Sequence, residues 1–385
     1  MAWTSPKTWT ADELLTASDL NQYISDNLSA LYALTQGGGR KNLLDNGMMQ
    51  IHQRGTPASG ITAGGYYTAD RWKTLVGTLG TWTQSVEADG PSGSGFTKSL
   101  KMLCSTADAS PSAGDYAILY QAIEGQNLQS VKKGTASAQQ LTLSFWTKSN
   151  KTGTYVVRLN DVVNARVCST TYTISASATW EQKTITIPAD LTGTLANSNA
   201  AALRAEFFLA AGTDYTSGTL ATTWQTDTGT NAAVGQTNLA ASTNNYWQIT
   251  GVQLEVGATA TGFEHKDYGT ELAECQRYFQ RFGFSTNERI GTCFVSATTV
   301  AYAMLVHKVR MRAIPTSHTR VGTVQLVMPG IIANSVTASA MDTPGYDTSE
   351  LGLTISADAT NFVIGRVCHA SVADASSYIG ISADL

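Results

Sequence analysis

Aromatic residues set into strand-like alternation are the part of this chain with the clearest chemical use. In Leu141–Lys148 the residues Leu141, Leu143 and Phe145 alternate with Thr142, Ser144 and Trp146. Successive side chains of a strand point to opposite faces, so the first set takes the interior and Trp146 an outer or concave sheet face. An indole there suits the apolar side of a sugar ring, with hydroxyls and amides nearby for the sugar's OH groups. Tyr155 joins it if the next strand returns as a hairpin across Ser149–Gly153. Trp82, Tyr172, Trp224 and Trp247 are further candidates. The competing use of the same aromatics is to fill an interface between subunits. Trp72, in Ala69-Asp70-Arg71-Trp72, reads as a buried packing residue.

Catalytic signatures are missing. There is no G-x-S-x-G nucleophile elbow and no phosphate-cradling G-x-x-x-x-G-K-[ST]. Gly90, Gly93 and Gly95 precede no helix and read as a turn. The histidines (His52, His265, His307, His318, His369) have no metal-ligand spacing. A glycosidase needs two carboxylates about 5–9.5 Å apart in a groove. Asp89, Asp161 and Glu206 would be the candidates, but nothing in the sequence pairs them. The expectation is a chain with no catalytic residues, no metal and no cofactor.

Composition narrows the class. Only 14% of the 385 residues are charged, which suits sandwich surfaces of neutral hydroxyls better than a metabolic enzyme. A net charge of −4 without basic runs gives no footprint for nucleic acid. Five cysteines without a CxxC pair read as small buried thiols of a protein folded in a reducing cytoplasm. The start, MAWTSPKTWT, has no signal-peptide pattern, and no apolar run is long enough for insertion into a membrane.

The elements that position these residues are mostly strands. Leu100–Ser105, Tyr116–Ile123, Leu141–Lys148, Thr154–Leu159, Ala165–Ile174, Glu181–Ile187, Leu203–Ala210 and Trp247–Val256 alternate, with turn residues between them. Ahead of them, Thr10 and Glu13 have capping-box spacing and Ser18 reads as a helix N-cap. Leu20, Ile24, Leu28, Leu31 and Leu34 then form one apolar stripe, ending at Gly37-Gly38-Gly39. Nothing in the first forty residues covers that stripe, so it needs an outside partner. Thr270–Phe282 reads as a short helix with Leu272, Cys275 and Phe279 on one face. Beyond Gly283, short strands punctuated by Pro315, Pro329-Gly330 and Pro344-Gly345 suggest a smaller β-sandwich.

Two stretches carry a resemblance: NLLDNGMMQIHQRG at Asn42–Gly55, and YWQITGVQLEVGATATGFEHKDYGTELAECQRYF at Tyr246–Phe279. Together they resemble the ends of the carbohydrate-binding-module-like jelly roll found in tail- and fibre-type proteins of bacteriophages. The stretches TWT, LLTASDLN and DNL resemble the attachment segment that begins several phage proteins. The resemblance implies a helical virion-attachment segment at residues 1–40 and a jelly roll at 41–267. A linker helix at 268–282 and a C-terminal β-sandwich at 283–385 follow. It further implies a homotrimeric tail fibre on the virion, assembled in the host cytoplasm, that binds a host surface glycan or receptor. A capsid (head) fibre or decoration protein is the alternative, and a polysaccharide depolymerase a third reading. The family's calcium position falls near the end of Trp247–Val256, where this chain carries Gln253 and Glu255 in place of the usual Asp. Met328 and Tyr346, in the loops Met328–Ile331 and Asp342–Asp347, are the expected receptor contacts.

Overall fold

The computed structural model describes residues 10, 12–14, 16–25, 40–328, 334–355 and 363–385. The alternating segments of the first unit form two antiparallel sheets packed face to face. The six-stranded sheet runs, in spatial order, Ala58–Ile61, Thr81–Glu87, Ser99–Thr106, Tyr246–Val256, Leu141–Ser149, Glu181–Ile187. The seven-stranded sheet runs Gln225–Thr226, Arg166–Ile174, Gly153–Asp161, Ala201–Ala211, Tyr116–Glu124, Lys73–Gly77, Gly65–Tyr66. The mainly β sandwich expected from the alternation is therefore present. Trp82, Leu100, Leu143, Phe145, Phe207 and Trp247 are buried between the sheets. The Phe207 ring lies 5.2 Å from Phe145 and 5.8 Å from Trp247.

Asn42–Gly55 runs beside Tyr246–Val256, as expected of an opening and closing pair, but it is not a strand. The Leu43 N–H donates to the Leu254 carbonyl (2.8 Å) and the Val252 N–H to the Gly47 carbonyl (3.0 Å). A Cβ on Gly47 would lie 2.2 Å from the Val252 carbonyl oxygen, so the close approach requires glycine. Asn46 replaces the missing ladder. Its amide donates to the carbonyls of Ile51 (2.7 Å) and Asp70 (3.0 Å), and its oxygen accepts the Ile51 N–H (3.0 Å).

The N-terminal helix starts at Thr16, not at Ser18. Thr16 Oγ1 accepts the Asp19 N–H (3.2 Å) and Asp19 accepts the Thr16 N–H (3.1 Å), a reciprocal cap. One α turn, Ala17–Asp19, widens into a π-helical segment, Leu20–Ser25. Leu20 and Ile24 are exposed; Leu28, Leu31 and Leu34 lie outside the described residues.

The second helix is Tyr268–Gln276, shorter than expected. Its buried side carries Glu271 and Cys275, while Leu272 is half-buried. Glu271 accepts the Asn46 N–H, which pulls that face onto the sandwich. Phe279 leaves the helix because Phe279–Phe282 pairs antiparallel with Tyr378–Ser382. A helical spacing of apolar residues is here overridden by a strand partner far along the chain.

The C-terminal unit departs from the expected pair of open sheets. Arg289–Ala297, Val300–Val306, Thr348–Ile355, Asn334–Pro344, Val324–Val327 and Val367–Val372 close into a six-stranded barrel. Phe279–Phe282, Tyr378–Ser382 and Ser317–Val321 make a three-stranded sheet packed on the same core. Closure removes the barrel's open edges, which a small two-sheet sandwich would have to protect by other means.

Buried polar contacts fasten this unit to the sandwich. Glu124, fully buried, meets Arg312 at 3.1 Å and Arg277 at 3.2 Å. Arg54 pairs with Asp384, and Gln53 bridges the Asp70 carboxylate (2.5 Å) and the Phe279 carbonyl (2.8 Å). Burial pushes the Asp70 carboxyl up to about 6, against the pull of Arg54 and the hydrogen bonds from Gln53. A raised folded-state pKa contributes stability that is complete below the unfolded value, near 3.8, and is lost as pH rises through about 6. Asp70→Asn is expected to remove that dependence, which amounts to roughly 2–3 kcal/mol across the window. Urea unfolding of both proteins at several pH values across it measures this. Stabilities that change in parallel would contradict the assignment.

Candidate functional site

The outer face of the six-stranded sheet carries Trp146, and strand register sets its neighbours in rows. One row runs Ser85, Lys101, Gln248, Lys148. The next contains Thr250, Trp146 and Gln182. On the far side of the lysine row lie Thr83, Leu103 and Tyr246. Trp180, just before the strand Glu181–Ile187, reaches Lys148, whose Nζ sits 5.0 Å from its ring centre. Lys101 Nζ is likewise 4.9 Å from the Tyr246 ring. Trp146, Trp180 and Tyr246 are all half-buried, and Gln182, Thr184 and Thr186 are exposed. Three aromatic rings thus share one partly open face, interleaved with amide, hydroxyl and ammonium groups.

Asp89 organises the polar part. It accepts from the Lys148 ammonium, from Trp180 Nε1 (3.3 Å) and from Gln248 Nε2 (3.1 Å). Partial burial pushes its carboxyl up, but these hydrogen bonds outweigh it and hold the group below the usual range. The indole of Trp180 and the Lys148 chain are therefore fixed by a carboxylate before any ligand arrives. Lys101 has no carboxylate partner among the described residues.

The rest of the face is roofed. A bulge between Thr250 and Gln253 puts Gly251 at φ 60°, where a Cβ would lie 2.7 Å from the Phe96 ring. Phe96 in turn packs against Phe263 (5.0 Å) and His265 (5.6 Å). Thr142, Ser144, Gln253 and Glu255 are buried at this end, and Gln248 and Thr250 are buried beside Trp146. This leaves Trp146, Trp180, Tyr246 and the strand Glu181–Ile187 as the partly open part of the face. Glu255 accepts from Gln253 Nε2 (2.9 Å), the Thr261 N–H (2.9 Å) and Thr261 Oγ1 (2.6 Å). The residues at the expected calcium position are thus engaged with the protein itself. Among the described residues no three His, Cys, Asp or Glu side chains gather as a metal site.

Tyr155 must be withdrawn as a sugar contact. Its strand, Gly153–Asp161, belongs to the seven-stranded sheet and pairs with Arg166–Ile174 and Ala201–Ala211, not with the strand of Trp146. The chain crosses between sheets after Ser149, so Tyr155 points into the core. It is fully buried and stacks on Tyr172 (5.8 Å), and its hydroxyl donates to the Lys151 carbonyl (2.8 Å). Burial pushes its phenol up to about 12. Trp82, Tyr172 and Trp247 are also buried, and Trp224 is tied down through Nε1 to the Pro188 carbonyl (2.8 Å). Trp72 is buried, as expected, with Nε1 on the Asn46 carbonyl (3.2 Å).

Met328 must be withdrawn as well. Val324, Leu326 and Met328 alternate inward and all pack in the barrel core, Met328 at 2% exposure. Tyr346, by contrast, is 38% exposed. It lines an open groove of about 710 Å³ between sandwich and barrel, with Gln126, Glu274, Arg277, Arg310 and Arg312. The Arg310 guanidinium lies 4.5 Å from its ring centre and also pairs with Asp347 (2.7 Å).

The carboxylates considered for glycosidase chemistry are each committed to a cation. Asp161 pairs with Lys133, and Glu206 with Arg158 (2.7 Å). Asp161 and Glu206 lie in the seven-stranded sheet, whereas Asp89 serves the face of the other sheet.

No protein-family model matches the chain, and no curated protein matches it. Solved structures give partial likenesses. The enzymatically active domain of tailspike protein 4 of bacteriophage CBA120 is 14% identical at a TM-score of 0.29. That match covers 56% of this chain and only 21% of the tailspike chain. The module TmCBM61, in complex with β-1,4-galactotriose, is 10% identical at 0.29, over 56% of this chain and 99% of its own. The CBM22-1–GH10 modules of a Clostridium thermocellum endo-1,4-β-D-xylanase, complexed with xylohexaose, are 11% identical at 0.28, over 57% and 29%. Superpositions this loose carry no weight for function, which rests on the residues of this chain.

Proposed function

We propose that this is a glycan-binding, non-enzymatic surface protein of a phage particle: a homotrimeric tail fibre that attaches to the host surface. The observation that carries the glycan reading is the open half of the six-stranded sheet, where Trp146, Trp180 and Tyr246 alternate with Gln182, Lys101 and Lys148. Aromatic faces supply stacking area for pyranose rings and the flanking polar groups supply direction. Binding of immobilised oligosaccharides by the intact chain, lost in Trp146→Ala, tests it. The groove at Tyr346 is the second surface on which a receptor contact would act. A head fibre or decoration protein would place the same chain on the capsid, and labelling it on the particle separates these sites.

The virion reading is supported by the N-terminal motif and by the exposure of Leu14, Leu20 and Ile24. Covering each such side chain contributes about 1.5–3 kcal/mol, which a partner in the virion would supply. Arg40 belongs to the sandwich, because its guanidinium lies 2.6 Å from Asp45. Deleting residues 1–39 is therefore expected to leave a folded chain that no longer enters particles. Normal incorporation of the truncated chain would remove the anchor assignment.

A further inference from the structure

We propose that Cys293 and Cys368 are a redox-modification site, a thiol pair that a low-molecular-weight disulfide converts into a cross-strand staple of the barrel. The two residues face each other directly in the antiparallel pairing of Arg289–Ala297 with Val367–Val372. Opposed residues in such a ladder have Cα atoms about 4.5–5.5 Å apart, whichever kind of pair they form. A disulfide spans about 4.4–6.8 Å between Cα atoms, so the backbone needs no displacement to accept the bond. Both side chains point inward, at 2% and 0% exposure, while the adjacent Phe294 and Val367 point out. They therefore lie on the same face of the ladder, as a bond requires. Both are free thiols in this structure.

The two thiols also differ. Cys293 Sγ donates to the Gly291 carbonyl (3.9 Å), and the interaction between the two adjoining thiols lowers the pKa of Cys368 and raises that of Cys293. In the proposed exchange the Cys368 sulfur attacks as the thiolate and Cys293 resolves. In the first step the Cys368 sulfur bonds to one sulfur of the external disulfide and the other leaves as a thiolate. In the second, Cys293 loses its proton, attacks the mixed disulfide at the Cys368 sulfur and expels the second thiolate. Two protein thiols are oxidised, one small disulfide is reduced to two thiols, and both protons pass to the departing thiolates. Burial confines the attack to moments when the ladder opens, so the reaction is slow and selective. The bond would link the last barrel strand of the chain to its first, restraining the unfolded barrel.

Hydroxyethyl disulfide is the probe, used on the full-length protein. After incubation and quenching, the denatured chain is expected to react with three maleimides in place of five, one per cysteine. Peptide mapping is expected to join Cys293 to Cys368, and a Cys293→Ala variant to keep a mixed disulfide on Cys368. Refolding from denaturant in the same reagent is the second arm, because it removes the barrier of burial. Retention of all five thiols in both arms, or a bond to Cys104, Cys168 or Cys275 instead, would overturn the proposal.

Discussion

Asp45→Ala is expected to destabilise the sandwich by about 3–5 kcal/mol, the cost of leaving a buried charge without its partner. Asp45 sits at the centre of the irregular opening segment, 2.6 Å from Arg40 and 2.8 Å from Arg71 Nε. Burial pushes its carboxyl up, but the two guanidiniums outweigh this and hold it well below the usual range. Arg71 is almost wholly buried, with φ at 74°, and its remaining contacts are the Ala122 carbonyl (2.7 Å) and the Tyr278 ring (3.3 Å). Without Asp45 that guanidinium keeps its charge and loses its counter-charge. Because Tyr278 follows the second helix, the damage extends to the joint with the barrel. Urea unfolding measures the loss, and Arg71→Met in the same background is expected to recover part of it. A loss below about 1 kcal/mol would mean that water or another group replaces the carboxylate.

Trp146→Ala is expected to weaken glycan binding by roughly 30-fold, about 2 kcal/mol, in line with a tryptophan at the centre of a binding surface. Its fold should survive, since the ring lies on the outer face and not in the interlayer core. Tyr155→Phe provides the contrast. It removes a buried hydroxyl that donates to the Lys151 carbonyl (2.8 Å), so it should change stability and leave affinity alone. Calorimetric titration of both variants with a bound oligosaccharide distinguishes the two roles. Equal affinities for Trp146→Ala and the wild type would move the contact off this sheet.

How much of this was legible in the sequence depended on what each strand buries. Trp247–Val256 announces itself because Trp247, Ile249, Val252 and Leu254 fill its inward positions along most of its length. Thr81–Glu87 does not, because its central inward residue is Gln84. That side chain is fully buried, accepting from the Thr68 N–H (2.9 Å) and donating to Thr74 Oγ1 (2.7 Å). A satisfied amide in the core breaks the hydrophobic alternation without breaking the strand. Phe279 failed in the opposite direction. Its spacing suited a helix, and only the pairing with Tyr378–Ser382 made it a strand.

The candidate site was half legible. Alternation alone placed Trp146 on an outer face, since that inference needs only the strand's own period. It gave no information on which sheet the next strand joins, and so Tyr155 was misplaced. Trp180 precedes its strand by one residue, so alternation within the strand does not reach it. The signal available was the register, which extends Glu181 opposite Thr147 by one step to bring Trp180 beside Lys148. Asp89 and the roof of Phe96 come from loops, whose course no periodicity records.

The most direct measurement is capture on an array of immobilised oligosaccharides, comparing the intact chain with a Trp146→Ala/Trp180→Ala variant of unchanged melting temperature. The account predicts that the intact chain is retained on a defined subset of glycans and that the variant is lost from the same spots. Equal retention of both proteins, or retention of neither on any glycan, would contradict a sugar-binding face on the six-stranded sheet.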